Sequence, residues 1–227
     1  MIVKKHKSCL IFVEYNKTMS ITKQLQWRYA TKKFNPSKKI PPQKLDVLKE
    51  AFNLTATSFG LQTLKLVIVE NKEIREALLP HSYNQKQVID ASHLFVICMQ
   101  DDITTADIER LFKNIKNIRN TPDEVLNPFK NDLIKMMDKK SVLDRQQWSR
   151  NQAYIALGNL MAVCAVEAID ACPMEGFIPS KYDEILDLEA KKLKSVLLLP
   201  VGYRAEDDMF ADLKKVRKPL SESIITL

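Results

Sequence analysis

A chain of 227 residues with 45% hydrophobic content can bury a sizeable core and is too apolar to be disordered. Its net charge of +7 comes from 35 basic and 28 acidic residues, and Lys4, Lys5, Lys7 and Lys17 less Glu14 account for +3 of it. The body is therefore only mildly basic, which argues for an anionic small ligand rather than a nucleic-acid stripe, and no run approaches the about eighteen apolar residues of a membrane span.

In chain order, residues 1–18 read as a disordered or spurious extension ahead of a second start at Met19, and residues 19–227 as one domain. The apolar run at 9–13 is too short for a signal peptide and lacks a cleavage site. Ile21, Leu25 and Tyr29 recur at helical spacing until Pro36 disfavours helix at Asn35, so Arg28 and Lys32 share one helix face or its exit. Pro41 and Pro42 open a helix carrying Leu45, Leu48 and Phe52. Apolar, β-branched runs at 64–69 and 94–99 predict buried strands. The pattern at 104–137 is helical, broken at 120–123, where Thr121 or Asn120 is placed to cap the next helix. Residues 144–170 predict one long helix whose second half is apolar nearly all round, and 195–203 a strongly apolar strand. Strands separated by helices argue for α+β or α/β.

The chemistry is narrowed by what is missing. Cys9, Cys98, Cys164 and Cys172 show no C-x-x-C spacing, and His6, His81 and His93 no metal spacing, so reduced, mostly buried thiols and no metal are expected. No G-x-S-x-G elbow exists, and Asp101-Asp102 suits a turn better than acid–base work. The four glycines, Gly60, Gly158, Gly176 and Gly202, cannot form a phosphate-cradling loop. Any phosphate must be held by side-chain cations. The run Pro173-Met174-Glu175-Gly176-Phe177 joins a fixed φ to a residue without Cβ, which lets backbone N–H groups meet a flat ligand edge-on. On Pro and Gly alone, an exit turn from a buried helix is the better account.

The company of that run resembles the FMN-dependent nitroreductase family, in its oxygen-insensitive NAD(P)H nitroreductase and dihydropteridine reductase branch. The carriers, from about Ile21 onward, are Arg28-Tyr29-Ala30-Thr31-Lys32-Lys33-Phe34, Thr57-Ser58 with Gln62, Asn84-Gln85-Lys86-Gln87, Gln152-Ala153-Tyr154 with Gly158-Asn159, the Pro-Met-Glu-Gly-Phe run, Leu199-Pro200-Val201-Gly202-Tyr203 and Lys215-Val216-Arg217-Lys218-Pro219. Each is weak alone; their order and spacing are specific.

The resemblance implies an α+β nitroreductase-like fold, with a mostly antiparallel central sheet flanked by helices and a helical lid at about 104–140. It implies a cytoplasmic homodimer with shared active sites, binding FMN and using NADH or NADPH, without nucleic-acid or membrane partners. Arg28, Lys215 and Arg217 are implied to hold the phosphate, with Tyr29, Ala30 and Thr31 in the same cofactor segment. Lys32 matches the lysine beside the flavin N1 and C2 carbonyl edge, Asn84 a partner of the pyrimidine side, and Pro173 with Glu175-Gly176 the segment addressing N5. Ser58 and Gly60 match a segment laid against the second subunit's cofactor. Lys32, Asn84, Gln87 and Ile134 are implied to meet nucleotide or acceptor, with Phe129 or Met137 as substitutes for Ile134 in the lid. No catalytic proton donor is implied. Departures occur at Ala30, Gly60, Thr63-Leu64, Gln87 and Val216. The implied activity is hydride transfer from NAD(P)H to nitroaromatic, quinone or pterin-type small-molecule acceptors; the alternative is an FMN-binding carrier or regulatory protein without acceptor turnover.

Overall fold

The structure, a computed structural model, describes residues 20–227. The 1–18 extension, Met19 and Cys9 lie outside the described residues. The elements in order are α1 (Ile21–Trp27), α2 (Pro42–Asn53), β1 (Leu64–Val69), α3 (Lys72–Leu78), α4 (Gln87–Asp90), β2 (His93–Gln100), α5 (Thr105–Arg119), α6 (Asp123–Asp138), α7 (Val142–Val166), β3 (Asp170–Ala171), α8 (Pro179–Ile185), β4 (Leu193–Gly202) and α9 (Leu220–Ser223). The strands form one sheet in the order β1-β2-β4-β3, and every named pair is antiparallel. Helices flank it, giving the α+β class.

Strand alternation splits the core in two. Phe95, Ile97 and Met99 of β2 join Leu197, Leu199 and Val201 of β4 under α2 and α7. Leu94, Val96 and Cys98 face the other way, with Leu198, Leu78 of α3 and Tyr182 of α8. Both faces are covered, which is why β2 reads as a continuous apolar run. Burial pushes the thiols of Cys98 and Cys164 up to about 12, and both are free and buried, as is Cys172.

A third cluster, Ile108 and Phe112 of α5 with Leu133 and Met137 of α6, gives the helical excursion its own small core. The junction differs from the expected cap. Asn120 takes the left-handed conformation (φ 52°) and ends α5, while α6 starts behind Pro122 without a side-chain cap, its first turn carrying Asp123 and Glu124 instead. The long helix starts two residues earlier and stops four residues earlier than expected, because Ser141 and Asp144 form a capping box and Ala168 adopts φ 53°. The helix at 21 ends at Trp27 and buries none of its residues, so Arg28 and Lys32 lie on its exit.

Asp102, at the end of β2, ties the sheet to the start of α7. Arg145 donates from Nε to Oδ1 at 2.6 Å and from Nη2 to Oδ2 at 2.9 Å, and Arg145 Nη1 donates to the Lys140 carbonyl at 2.6 Å. Hydrogen bonding from Arg145 holds the Asp102 carboxyl below its usual range despite burial. Arg145→Ala is expected to cost about 2 kcal/mol in urea unfolding at neutral pH. The Asp102 pKa is depressed on folding, so this stabilisation is present above about pH 4 and is lost as pH falls through the folded value. The penalty of the variant should shrink in the same acid window.

Candidate functional site

The exit from α1 begins the site. Arg28, the C-cap residue, has extended dihedrals (φ −68°, ψ 144°). The rings of Trp27 and Tyr29 close on the Arg204 guanidinium, with centroids 4.5 and 4.6 Å from its central carbon. Arg204 is neutralised by buried Asp170, Nε to Oδ1 at 2.8 Å. The segment then runs beside β3: Ala30 bridges Ala171, and the Thr31 N–H donates to the Ala171 carbonyl at 3.4 Å. Thr31 is buried and its hydroxyl has no partner among the described residues.

The C-terminal arm returns to this corner. Lys215 Nζ donates to the Arg28 carbonyl. Burial, and then the Arg217 charge, holds Arg28 below its ordinary value; burial followed by Arg28, Arg217 and Arg204 does the same to the Lys215 ammonium. Burial raises the Cys172 thiol, while Lys32 and Arg28 draw it down. Arg28, Lys215 and Arg217 therefore lie in one another's field, and Lys32 joins Arg28 in acting on Cys172 at the start of the 172–177 segment. Among the described residues, none of Arg28, Lys32, Lys215 and Arg217 is ion-paired to a carboxylate. Arg28, Lys215 and Arg217 thus repel one another with no carboxylate partner among the described residues, an arrangement that an anion from outside would relieve.

The 172–177 segment is pinned along its length. The Cys172 N–H donates to the Pro200 carbonyl at 3.1 Å, and Met174 exchanges both backbone hydrogen bonds with Leu198. Beyond it, the Phe177 N–H donates to the Glu175 carbonyl at 2.9 Å, a three-residue turn centred on Gly176. Gln85 Nε2 donates to the Gly176 carbonyl at 2.9 Å and to the Ser82 carbonyl at 3.1 Å. A Cβ on Gly176 would stand 3.0 Å from that nitrogen. Gln85 follows Tyr83 and Asn84, both left-handed at φ 52° and 56°, a costly pair for non-glycine residues. Gln85, next in sequence to Asn84, thus ties this turn to Gly176. The Tyr154 hydroxyl of α7 donates to Glu175 Oε1 at 2.7 Å.

Ser58 and Gly60 lie elsewhere. The Ser58 N–H donates to Gln152 Oε1 at 2.9 Å, Phe59 (φ 56°) stacks on Trp148, and Gly60 has φ 68°. Gln152 and Tyr154 are two residues apart on α7, about 200° around the helix. The Ser58 turn and Glu175 accordingly flank opposite sides of α7. In the lid, Ile134 is half-buried against the third cluster and Met137 is buried; Phe129 is 50% exposed, its ring against Phe59 and Phe112. Gln87 is buried at the start of α4.

The cation corner is an open surface of the single chain. A groove of about 370 Å³ between α2 and β1, lined by Lys49, Phe52, Gln62 and Lys65, and one of about 280 Å³ between α5 and α6 lie apart from it. Concavity alone does not mark a redox site: the second groove mixes its lysines with Glu109 and Asp123, and Lys116 is paired with Asp123. Gln85, Gln152 and Tyr154 stood inside recognised motifs without an assigned role. Asp208 had no signal at all beyond an acidic pair ahead of a basic arm.

Residues 25–203 match the family described as the Nitroreductase family. Among curated relatives, a Staphylococcus haemolyticus protein provisionally named an NAD(P)H nitroreductase is 30% identical over 90% of this chain and 96% of its own length. A Bacillus subtilis protein, YfkO, with the same provisional name is 32% identical over 80% of this chain and 87% of its own. Among solved structures, a nitroreductase-named protein from Exiguobacterium sibiricum in complex with FMN superposes with a TM-score of 0.79 at 17% identity, covering 92% of this chain and 98% of that one. Bacillus subtilis ydfN gives 0.81 at 18% identity, covering 91% and 98%. With residues 25–203 matching the family, relatives at 30–32% identity over most of the chain and the same fold in solved members, this chain belongs to the nitroreductase family of oxidoreductases.

Proposed function

We propose that the chain binds FMN at the cation corner and reduces small flat acceptors, of nitroaromatic, quinone or pterin type, at the expense of NADH or NADPH. The observation that carries this reading is the convergence of Arg28, Lys32, Lys215 and Arg217 with no carboxylate partner among the described residues. That donor set fits a phosphate dianion, for which arginine offers paired N–H donors. Arg28, Lys215 and Arg217 would hold the phosphate and Lys32 the ring edge that gains charge on reduction, where a fixed cation counts most away from water. Asn84 and the turned backbone at Glu175-Gly176 would fix the ring in plane. Bound there, FMN supplies the hydride relay between nucleotide and acceptor. Gln87 and Ile134 are the residues proposed to shape the nucleotide and acceptor side.

The homodimer belongs to the same reading. Because the Ser58 turn and Glu175 flank opposite sides of α7, a second copy packed on this helix lets each Ser58-Gly60 segment complete its neighbour's site. The exposed apolar residues Ile21, Leu25 and Trp27 of α1 and Tyr154 and Ile155 of α7 supply a surface for it. Among the described residues no helix is long and apolar enough to cross a membrane.

The test is purification and titration under nitrogen. The expected result is a yellow protein whose flavin band bleaches with NADH or NADPH and returns on adding menadione or a nitrofuran, with repeated turnover. A colourless protein that takes up no FMN overturns the proposal, and a single reduction without turnover assigns the carrier role instead.

A further inference from the structure

We propose that Asp208 is the positioning residue of the cation corner: its carboxylate holds the segment bearing Arg28 and Lys32 against the root of the arm bearing Lys215 and Arg217, and so sets the position of Arg28 against Lys215 and Arg217, the charges that meet a phosphate. The inference rests on the flavin reading above.

Asp208 lies in the turn after β4 and is 5% exposed. Its Oδ2 accepts the Lys32 N–H at 2.9 Å, the Lys33 N–H at 3.0 Å and the Tyr29 hydroxyl at 2.8 Å; its Oδ1 accepts the Phe210 N–H at 3.1 Å. Three donors therefore come from the 29–33 segment and one from its own. That segment is neither helix nor regular strand; its other ties are the bridge at Ala171, the bridge of Phe34 to Arg204, the Ala205 N–H donating to the Lys33 carbonyl at 2.9 Å, the Tyr29 ring against Arg204, and an exposed ion pair of Lys33 with Asp207. On the other side, the arm past Asp208 is mostly exposed and meets the body where Lys215 Nζ reaches the Arg28 carbonyl. Asp208 is the buried knot between the two.

Its manner of binding matters as much as its position. Among the described residues Asp208 forms no ion pair; peptide N–H groups and a phenol satisfy it. Burial raises its carboxyl, but the donors from Lys33, Tyr29, Phe210 and Lys32 outweigh burial and hold it below the ordinary carboxylate range. An acid that gripped Arg28 or Lys32 through their side chains would cancel the charge the site needs. Asp208 grips the Lys32 and Lys33 backbones instead and leaves the cations unspent. An asparagine of the same shape offers one uncharged acceptor oxygen: it either turns its N–H₂ toward the Tyr29, Lys32 and Lys33 donors or keeps them on a weaker, neutral acceptor and gives up the Phe210 N–H, and both outcomes loosen the knot.

The test separates positioning from general damage by using two ligands that differ only in the phosphate. Full-length wild type and Asp208→Asn, both stripped of flavin, are titrated with FMN and with riboflavin by flavin fluorescence, with a melting curve for each protein. The expected result is that the FMN-over-riboflavin preference of the wild type falls by at least about tenfold in Asp208→Asn, with riboflavin, which meets Lys32 but not the phosphate cations, losing less affinity than FMN does. An unchanged preference, or an equal fall for both ligands, overturns the inference. Should Asp208→Asn fail to fold, Tyr29→Phe removes one of the four donors: a preference at least about threefold below wild type supports the inference, and an unchanged one overturns it. A wild type that binds neither flavin overturns the flavin reading, and the inference with it; a wild type that binds both flavins alike overturns the phosphate corner alone.

Discussion

Arg28→Glu is expected to give a folded protein that no longer retains FMN. A single charged hydrogen-bonding partner contributes about 1.5–3 kcal/mol, and reversing its sign adds repulsion of the phosphate, so affinity should fall by at least about a hundredfold. The substitution is well suited to the question because, among the described residues, the Arg28 side chain forms no hydrogen bond or ion pair. The Arg28 backbone carbonyl meets Lys215, while the guanidinium already sits in the repulsive field of Arg217. A carboxylate there would relieve that repulsion, and the melting temperature should hold or rise. Flavin fluorescence titration alongside a thermal melt checks both halves. Retained FMN affinity would place the phosphate elsewhere.

Gly202→Ala is expected to damage the fold rather than the chemistry. A Cβ at Gly202 would stand 2.8 Å from the Ser92 backbone nitrogen and 3.1 Å from a Phe34 ring carbon. Backbone cannot swing aside as a side-chain end can. Ser92 is itself fixed, its hydroxyl accepting the Ile40 N–H at 2.8 Å, and Gly202 sits where β4 pairs with Asp170 of β3. Separating these strands disturbs the Arg204–Asp170 pair that anchors the exit from α1. Overpacking of this kind costs about 3 kcal/mol, a fall of about 6–12 °C in melting temperature for a domain of this size. The contrast is Gly158 on an exposed part of α7, where an added Cβ meets nothing within 4 Å. Gly158→Ala in the isolated chain should be neutral or stabilising by about 0.5–1 kcal/mol.

The strands were legible because their physics is local. The run at 64–69 coincides with β1, β2 extends its expected run by one residue at each end, and β4 starts two residues earlier and stops one earlier than expected, since apolar, β-branched sequence between turn residues leaves little else to form. The short helices α3, α4 and α8 carried no such signal; with four to seven residues each, they are held by tertiary contacts rather than by a periodic stripe. The site divides in the same way. Arg28 with Lys32, and Lys215 with Arg217, were visible as pairs of cations, each near its partner in sequence. What joins the pairs was not visible: Asp208 is 176 residues from Lys32 and acts on its peptide N–H, which any residue type would present. The Gln85–Gly176 and Tyr154–Glu175 contacts likewise span 91 and 21 residues, and no spacing rule connects them.

The buried thiols bear on which acceptors the protein can survive. Quinones add covalently to thiolates, so an enzyme that meets them repeatedly risks being alkylated by its own substrate. At neutral pH, thiols with a pKa of about 12, as for Cys98 and Cys164, are ionised in only about one molecule in 10⁵. Packed beneath the sheet helices, they offer an electrophile neither charge nor access.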